Sequence, residues 1–209
     1  MTVAYEIVVV GTSWGGLSAL RELISGLPPA FALPVVVVQH RHRQSDHLLP
    51  MLLQDSTSLR VCEVEDKAPI TGGHVHVAPA DYHLLIEYGS FSLSVDEPVR
   101  YSRPSIDVTF VSAADAYGGR AVGVILTGAN ADGSRGLERI HERGGLALVQ
   151  LPATAESPMM PAAALRCVPT ARALSIGEIA STLAALPVAA TIPVTSPPRT
   201  RLGVRDVHS

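Results

Sequence analysis

Four short runs of apolar residues punctuate the chain: Ile7-Val8-Val9-Val10, Val35-Val36-Val37-Val38, Ala121-Val122-Gly123-Val124-Ile125-Leu126 and Ala147-Leu148-Val149. Each is too short for a helix, is rich in valine and isoleucine, and is followed by turn residues. Such runs predict strands buried on both faces. The stretches 17–24, 45–53, 106–116 and 135–143 between them read as helices. Strands alternating with helices at this spacing predict parallel βαβ units and a doubly wound α/β sheet flanked by helices.

Residues 61–95 follow a different rhythm. Thr71-Gly72-Gly73 leads into His74-Val75-His76-Val77, and Gly89-Ser90 separates two further alternating stretches. Alternation bounded by glycine turns predicts antiparallel hairpins, inserted in the sheet or lying at its edge. After Leu186 the composition turns to Pro, Thr, Ala, Val and Arg, with three arginines against Asp206. The expectation is a folded body over residues 1–186 and a disordered tail over 187–209.

Composition narrows the function. At 209 residues and 47% hydrophobic the chain can bury one substantial core, and its net charge is −3. A slightly acidic chain is a poor candidate for nucleic-acid binding, which needs a strongly basic face. Cys62 and Cys167 are the two cysteines, too few for a disulfide framework or a four-cysteine zinc site, and they read as packing residues. No apolar run reaches membrane-spanning length, and the first residues lack the basic region of a signal peptide. A cytoplasmic protein without membrane insertion is the default expectation.

Candidate chemistry starts at Gly11-Thr12-Ser13-Trp14-Gly15-Gly16, between the first strand and the first helix. A dinucleotide site wants glycine where Ser13 stands, and an acid after the second strand, where the chain has Gln39-His40. The same residues fit G-x-S-x-G, a turn that projects a serine hydroxyl with helix amides nearby. A serine in such a turn can equally be a helix cap. A nucleophilic serine needs a base and an orienting acid. His40 ends the second predicted strand, and Asp132 lies in Gly128-Ala129-Asn130-Ala131-Asp132-Gly133 after another. Three strand ends thereby offer Ser, His and Asp in one layer.

Alternatives stand beside each. Asp132-Gly133 could be only a turn and a cap for the next helix, and Asn130 could bond to the Asp132 loop or take a left-handed conformation. His40, His42 and His47 could be metal ligands, although no cysteine or acidic cluster completes the set. His74 and His76, on one strand face, read as sheet residues. Arg41 and Arg43 could draw in an acidic partner or belong to a solvated loop. Arg103-Pro104-Ser105 could line a cleft, or begin a helix with Ser105 as cap and Asp107 in its first turn.

Taken together, Gly11–Gly16, Val38-Gln39-His40, Gly72-Gly73-His74-Val75-His76-Val77-Ala78-Pro79, Arg103-Pro104-Ser105-Ile106-Asp107-Val108, 126–133 and Met160-Pro161-Ala162-Ala163 resemble the catalytic domain of the chemotaxis protein-glutamate methylesterases, the CheB family. The resemblance covers residues 5–186, with the motifs in the right order. It implies a cofactor-free serine hydrolase acting on γ-glutamyl methyl esters, with glutamine deamidation as a related activity. Ser13 is then the nucleophile, His40 the base and Asp132 the orienting acid. Backbone amides near Trp14 and in the Gly128–Ala129 turn become oxyanion donors, and Arg41, Arg103 and Met160 become substrate contacts. The implied partners are methylated cytoplasmic helices of chemoreceptors or another methylated protein, and a separate receiver or signalling protein. Trp14, Ala129 and Met159 depart from the family pattern, and a non-catalytic binding module built on the same scaffold is the alternative.

Overall fold

The computed structural model describes residues 4–41 and 48–189. The valine-rich runs form β1 (Ile7–Thr12), β2 (Val35–Gln39), β7 (Ala121–Ile125) and β8 (Leu146–Gln150). The helices expected between them are α1 (Gly16–Ser25), α2 (Leu48–Gln54), α3 (Ile106–Tyr117) and α4 (Ser134–Glu142). The expected start of the second helix, residues 45–47, lies outside the described residues. Toward the end of the chain follow α5 (Met159–Cys167), β9 (Arg172–Leu174) and α6 (Ile176–Ala184).

Segment 61–95 divides in two. β5 (His83–Glu87) and β6 (Ser90–Ser94) pair as the expected antiparallel hairpin. β3 (Arg60–Glu63) and β4 (His74–Val77) instead join the main sheet in parallel. A period of two cannot distinguish these cases, because any strand turns alternate side chains to opposite faces whatever the direction of its neighbours. His74 and His76 do share one face, their rings 5.7 Å apart. His76 is buried, and its Nε2 meets the backbone of Thr71.

The main sheet has seven parallel strands in the order β3-β4-β2-β1-β7-β8-β9. Successive residues of β1 point to opposite faces. Ile7 and Val9 join a core with α3, α4, α5 and the hairpin, whereas Val8 and Val10 join one with α1, α2 and α6. The chain travels outward from β1 through β2 in one direction and from β7 through β8 in the other. The switch between β1 and β7 opens a crevice at the carboxyl ends of the strands, where ligands of doubly wound sheets bind.

The folded body does not stop at Leu186. Pro187–Ala189, expected as the start of a tail, run beside Tyr5, whose amide donates to Pro187 O at 2.8 Å while Ala189 N donates to Tyr5 O. The rest of the expected tail, 190–209, lies outside the described residues.

One contact ties the sheet centre to the N-terminus of α3. A Cβ placed on Gly11 would lie 2.4 Å from the Ile106 Cγ2 methyl, a branched group with little freedom to move. Gly11→Ala should therefore destabilise the fold by about 1–3 kcal/mol, read from urea unfolding. Combined with Ile106→Ala, its cost should be markedly less than additive. Full additivity would show that the two residues are not in contact.

Candidate active site

Ser13 follows β1 immediately, His40 follows β2, and Asp132 lies in the loop after β7, on both sides of the switch point. The left-handed residue of the first turn is Gly15, at φ 75°, and not Ser13. Gly15 caps α1 by backbone alone, so Ser13 is not the cap of that helix. Its backbone is held firmly instead. Ser13 N donates to Thr127 O at 3.0 Å, and Ser13 O accepts from Gln39 Nε2 at 2.8 Å and from Gly16 N. Ser13 Oγ has no protein hydrogen-bond partner among the described residues and lines an open groove. Trp14, Gly15, Gly16, Gln39, His40, Ala129 and Glu156 form its other walls.

Asp132 is fully buried, and its carboxylate accepts from five donors. His40 Nε2 lies 2.8 Å from Oδ2, which also accepts from Ile106 N at 2.7 Å. Oδ1 accepts from Ser105 Oγ, Asp107 N and Gly133 N, each at 3.0 Å. Ser105 is the N-cap of α3, as the sequence suggests, and Asp107 lies in its first turn. The carboxylate therefore occupies the N-terminus of α3, where free amides and the helix dipole favour a negative charge. Asp132 does not cap the helix that follows it; Gly133 does, without a side-chain bond.

Burial alone would raise the Asp132 pKa. The hydrogen bond and charge of His40, with the amides of Ile106 and Asp107, outweigh it and hold the group below the ordinary carboxylate range. Asp107 moves the opposite way: burial and the charge of Asp132 push its pKa up, against a bond from Gly136 N.

His40 has a second partner. Asn130 Nδ2 lies 3.3 Å from His40 Nδ1, and Asn130 Oδ1 accepts from Asp132 N at 3.0 Å. Of the two readings of Asn130, the bond to the Asp132 loop is the one observed, and its φ is not left-handed. Of the three histidines of the metal reading, His40 has both ring nitrogens near these partners, and His42 and His47 lie outside the described residues. Among those residues no group of three metal-ligating side chains assembles.

The expected oxyanion donors need one correction. Gly128 N donates to Ser157 O at 3.1 Å and so is not free. Trp14 N and Ala129 N donate to no acceptor among the described residues, and both residues line the groove. The Thr127–Gly128 turn is clamped by neighbours that the sequence reading did not single out. Thr127 N donates to Gln150 Oε1 at 2.8 Å, and Ser157 N donates to Thr127 Oγ1 at 2.8 Å.

The expected substrate contacts fare differently. Met160 is fully buried beneath Gly128, whose carbonyl accepts from Met160 N, so it is a packing residue and cannot touch substrate. Arg103 donates to Asp81 Oδ1 at 2.7 Å and to the carbonyls of Val95 and Asp96, which makes it a loop brace. Arg41 lines a second hollow beside His40, but its Nη2 is taken by Glu63 and Ala78 O. Arg43 lies outside the described residues. Trp14, 66% exposed, stands on the groove and does not fill it. Cys62 is half-buried beside His76 and its thiol pKa is raised by burial, opposite to an activated nucleophile; Cys167, expected to pack, is exposed. Glu156 lines the groove beside Gly15, so a carboxylate stands where a dinucleotide would bring its pyrophosphate.

Comparison with known proteins converges on one family. The CheB methylesterase family profile matches residues 8–183. A Leptospira interrogans relative, provisionally named protein-glutamate methylesterase/protein-glutamine glutaminase, is 45% identical over 84% of this chain and 92% of its own length. A Carboxydothermus hydrogenoformans protein of the same name is 38% identical over 86% of this chain but only 55% of its own length. The chain thus spans about half of that longer relative. The crystal structure of the Thermotoga maritima CheB methylesterase catalytic domain superposes with a TM-score of 0.82 and 32% identity, covering 87% of this chain and 98% of that one. No helix among the described residues is long and apolar enough to cross a membrane. A match over nearly the whole folded body, on the same fold, means that the chain belongs to the CheB methylesterase family.

Proposed function

We propose that the chain hydrolyses γ-glutamyl methyl esters on methylated receptor helices to glutamate and methanol, with Ser13, His40 and Asp132 as its triad. The observation that carries this reading is the buried His40–Asp132 pair, which opens onto the groove that Ser13 lines.

In this mechanism Asp132, ionised on the N-terminus of α3, accepts from His40 Nε2–H and leaves Nδ1 as the basic nitrogen. Nδ1 takes the proton from Ser13 Oγ as the oxygen attacks the ester carbonyl. The tetrahedral oxyanion is met by Trp14 N–H and Ala129 N–H. The protonated ring then gives its proton to departing methanol, leaving a glutamyl ester on Ser13. Water, deprotonated by the same nitrogen, cleaves that ester to the carboxylate. A glutamine side chain would follow the same course with ammonia leaving, the second activity in the relatives' names. Ser13 and His40 share a groove wall without a hydrogen bond, a spacing that commonly tightens only when substrate arrives. The binding-module alternative is not favoured, because Trp14 leaves the groove open.

Ser13→Ala should lower methanol release from methylated receptor peptides by roughly four orders of magnitude or more, with the melting temperature unchanged. Release at the wild-type rate would remove Ser13 from the chemistry.

Asp132→Asn should abolish hydrolysis and destabilise the fold by about 3 kcal/mol, since several donors converge on a charge that is no longer there. The folded carboxylate titrates below its unfolded value near 4. Its stabilisation is therefore complete above the unfolded pKa and disappears as pH falls through the lower folded one. The stability gap between wild type and Asp132→Asn should be constant near neutrality and close on acidification. A gap independent of pH would exclude the charge as its origin.

A further inference from the structure

We propose that Asn130 is a positioning residue for His40, bracing the Nδ1 edge of the neutral imidazole in the tautomer that Asp132 sets, so that an unprotonated Nδ1 faces Ser13. The proposal rests on the methylesterase reading for its catalytic meaning, although the geometry behind it does not.

Three residues close a ring of hydrogen bonds. Asp132 N donates to Asn130 Oδ1 at 3.0 Å, Asn130 Nδ2 lies 3.3 Å from His40 Nδ1, and His40 Nε2 lies 2.8 Å from Asp132 Oδ2. The first bond fixes the orientation of the amide. Turned over, its NH2 would oppose the Asp132 N–H, donor against donor. Nδ2 therefore faces the imidazole, and a donor there requires a lone pair on Nδ1. From the other side, the ionised Asp132 requires a hydrogen on Nε2. Two partners on opposite edges of the ring demand the same tautomer, and both come from the 130–132 turn.

The contact from Asn130 is long enough to be weak, so a serine hydroxyl arriving at Nδ1 can displace it. When Ser13 Oγ gives up its proton, Nδ1 becomes a donor and Nδ2 no longer has an acceptor there. The ring of bonds is thus complete only while the base is neutral. Asp132 faces the imidazole directly, Asp107 stands behind Asp132, Arg41 follows in the chain, and Glu156 lines the same groove. Asn130 is the uncharged group that touches the catalytic nitrogen.

Asn130→Asp is the discriminating substitution. It keeps the oxygen that accepts from Asp132 N, and so the turn, but sets a carboxylate oxygen against Nδ1. Histidine-selective 15N NMR should show His40 as the Nε2–H tautomer in the wild type and as a ring protonated on both nitrogens in Asn130→Asp at neutral pH. The kcat for methanol release should fall about a hundredfold, with KM within twofold. Asn130→Ala serves if Asn130→Asp does not fold; there Asp132 keeps the hydrogen on Nε2, and loss of the Asn130 contact should move the Nδ1 shift and lower kcat. Wild-type nitrogen shifts and wild-type kcat in the variant that folds would overturn the proposal. A Ser13→Ala protein that still releases methanol would instead overturn the methylesterase reading, while the NMR result would still report on Asn130.

Discussion

The docking of one buried carboxylate on one helix end organises this site. Asp132 is fully buried, and alone that would be a costly place for a charge. The N-terminus of α3 meets the cost with two backbone amides and the Ser105 hydroxyl, and the Gly133 amide and the His40 ring complete the shell. Because the N-terminus of α3 lies 25 or more residues from Asp132 in sequence, the site exists only when the β7 loop and that helix end have been brought together. Assembly of the His40–Asp132 pair is therefore coupled to assembly of the fold.

Much of this was legible in the residues. The valine runs had one workable interpretation, strands covered on both faces, and a parallel doubly wound sheet followed from their alternation with helices. Ser105 as a cap, with Asp107 in the first turn of α3, was one of the two readings open for that stretch. Less legible was where that helix end would dock, because caps are local in sequence and Asp132 is not. The parallel placement of β3 and β4 was hidden for a similar reason. Their alternation records the two faces of a strand, not the direction of the neighbouring strand.

Two errors about single residues share a physical origin. Gly128 and Met160 sit in motifs that invite a functional role, yet the Gly128 amide is bonded to Ser157 O and Met160 is sealed beneath it. Both belong to the scaffold that holds the turn. A motif identifies a neighbourhood, and hydrogen-bond accounting decides which member remains free to act. By that accounting the amides of Trp14 and Ala129 have no acceptor among the described residues, and both are positions that depart from the family pattern. Because the donors are backbone groups, such departures leave the donor chemistry intact and alter only the groove around it.

Ile106 shows how closely packing and electrostatics are joined here. Its amide donates to the Asp132 carboxylate, while its side chain fits against Gly11 and Gly133 so tightly that neither could carry a Cβ without movement. Gly11 belongs to β1, two residues before Ser13, and Gly133 follows Asp132 directly. One isoleucine thus touches the strand that delivers the proposed nucleophile, the acid itself and the glycine that follows it. A shift of α3 large enough to relieve crowding at Gly11 would draw the Ile106 amide away from Asp132, and with it the charge that orients His40. The glycines of these motifs are required less by any reaction than by the need to bring a helix end within hydrogen-bonding distance of a buried carboxylate.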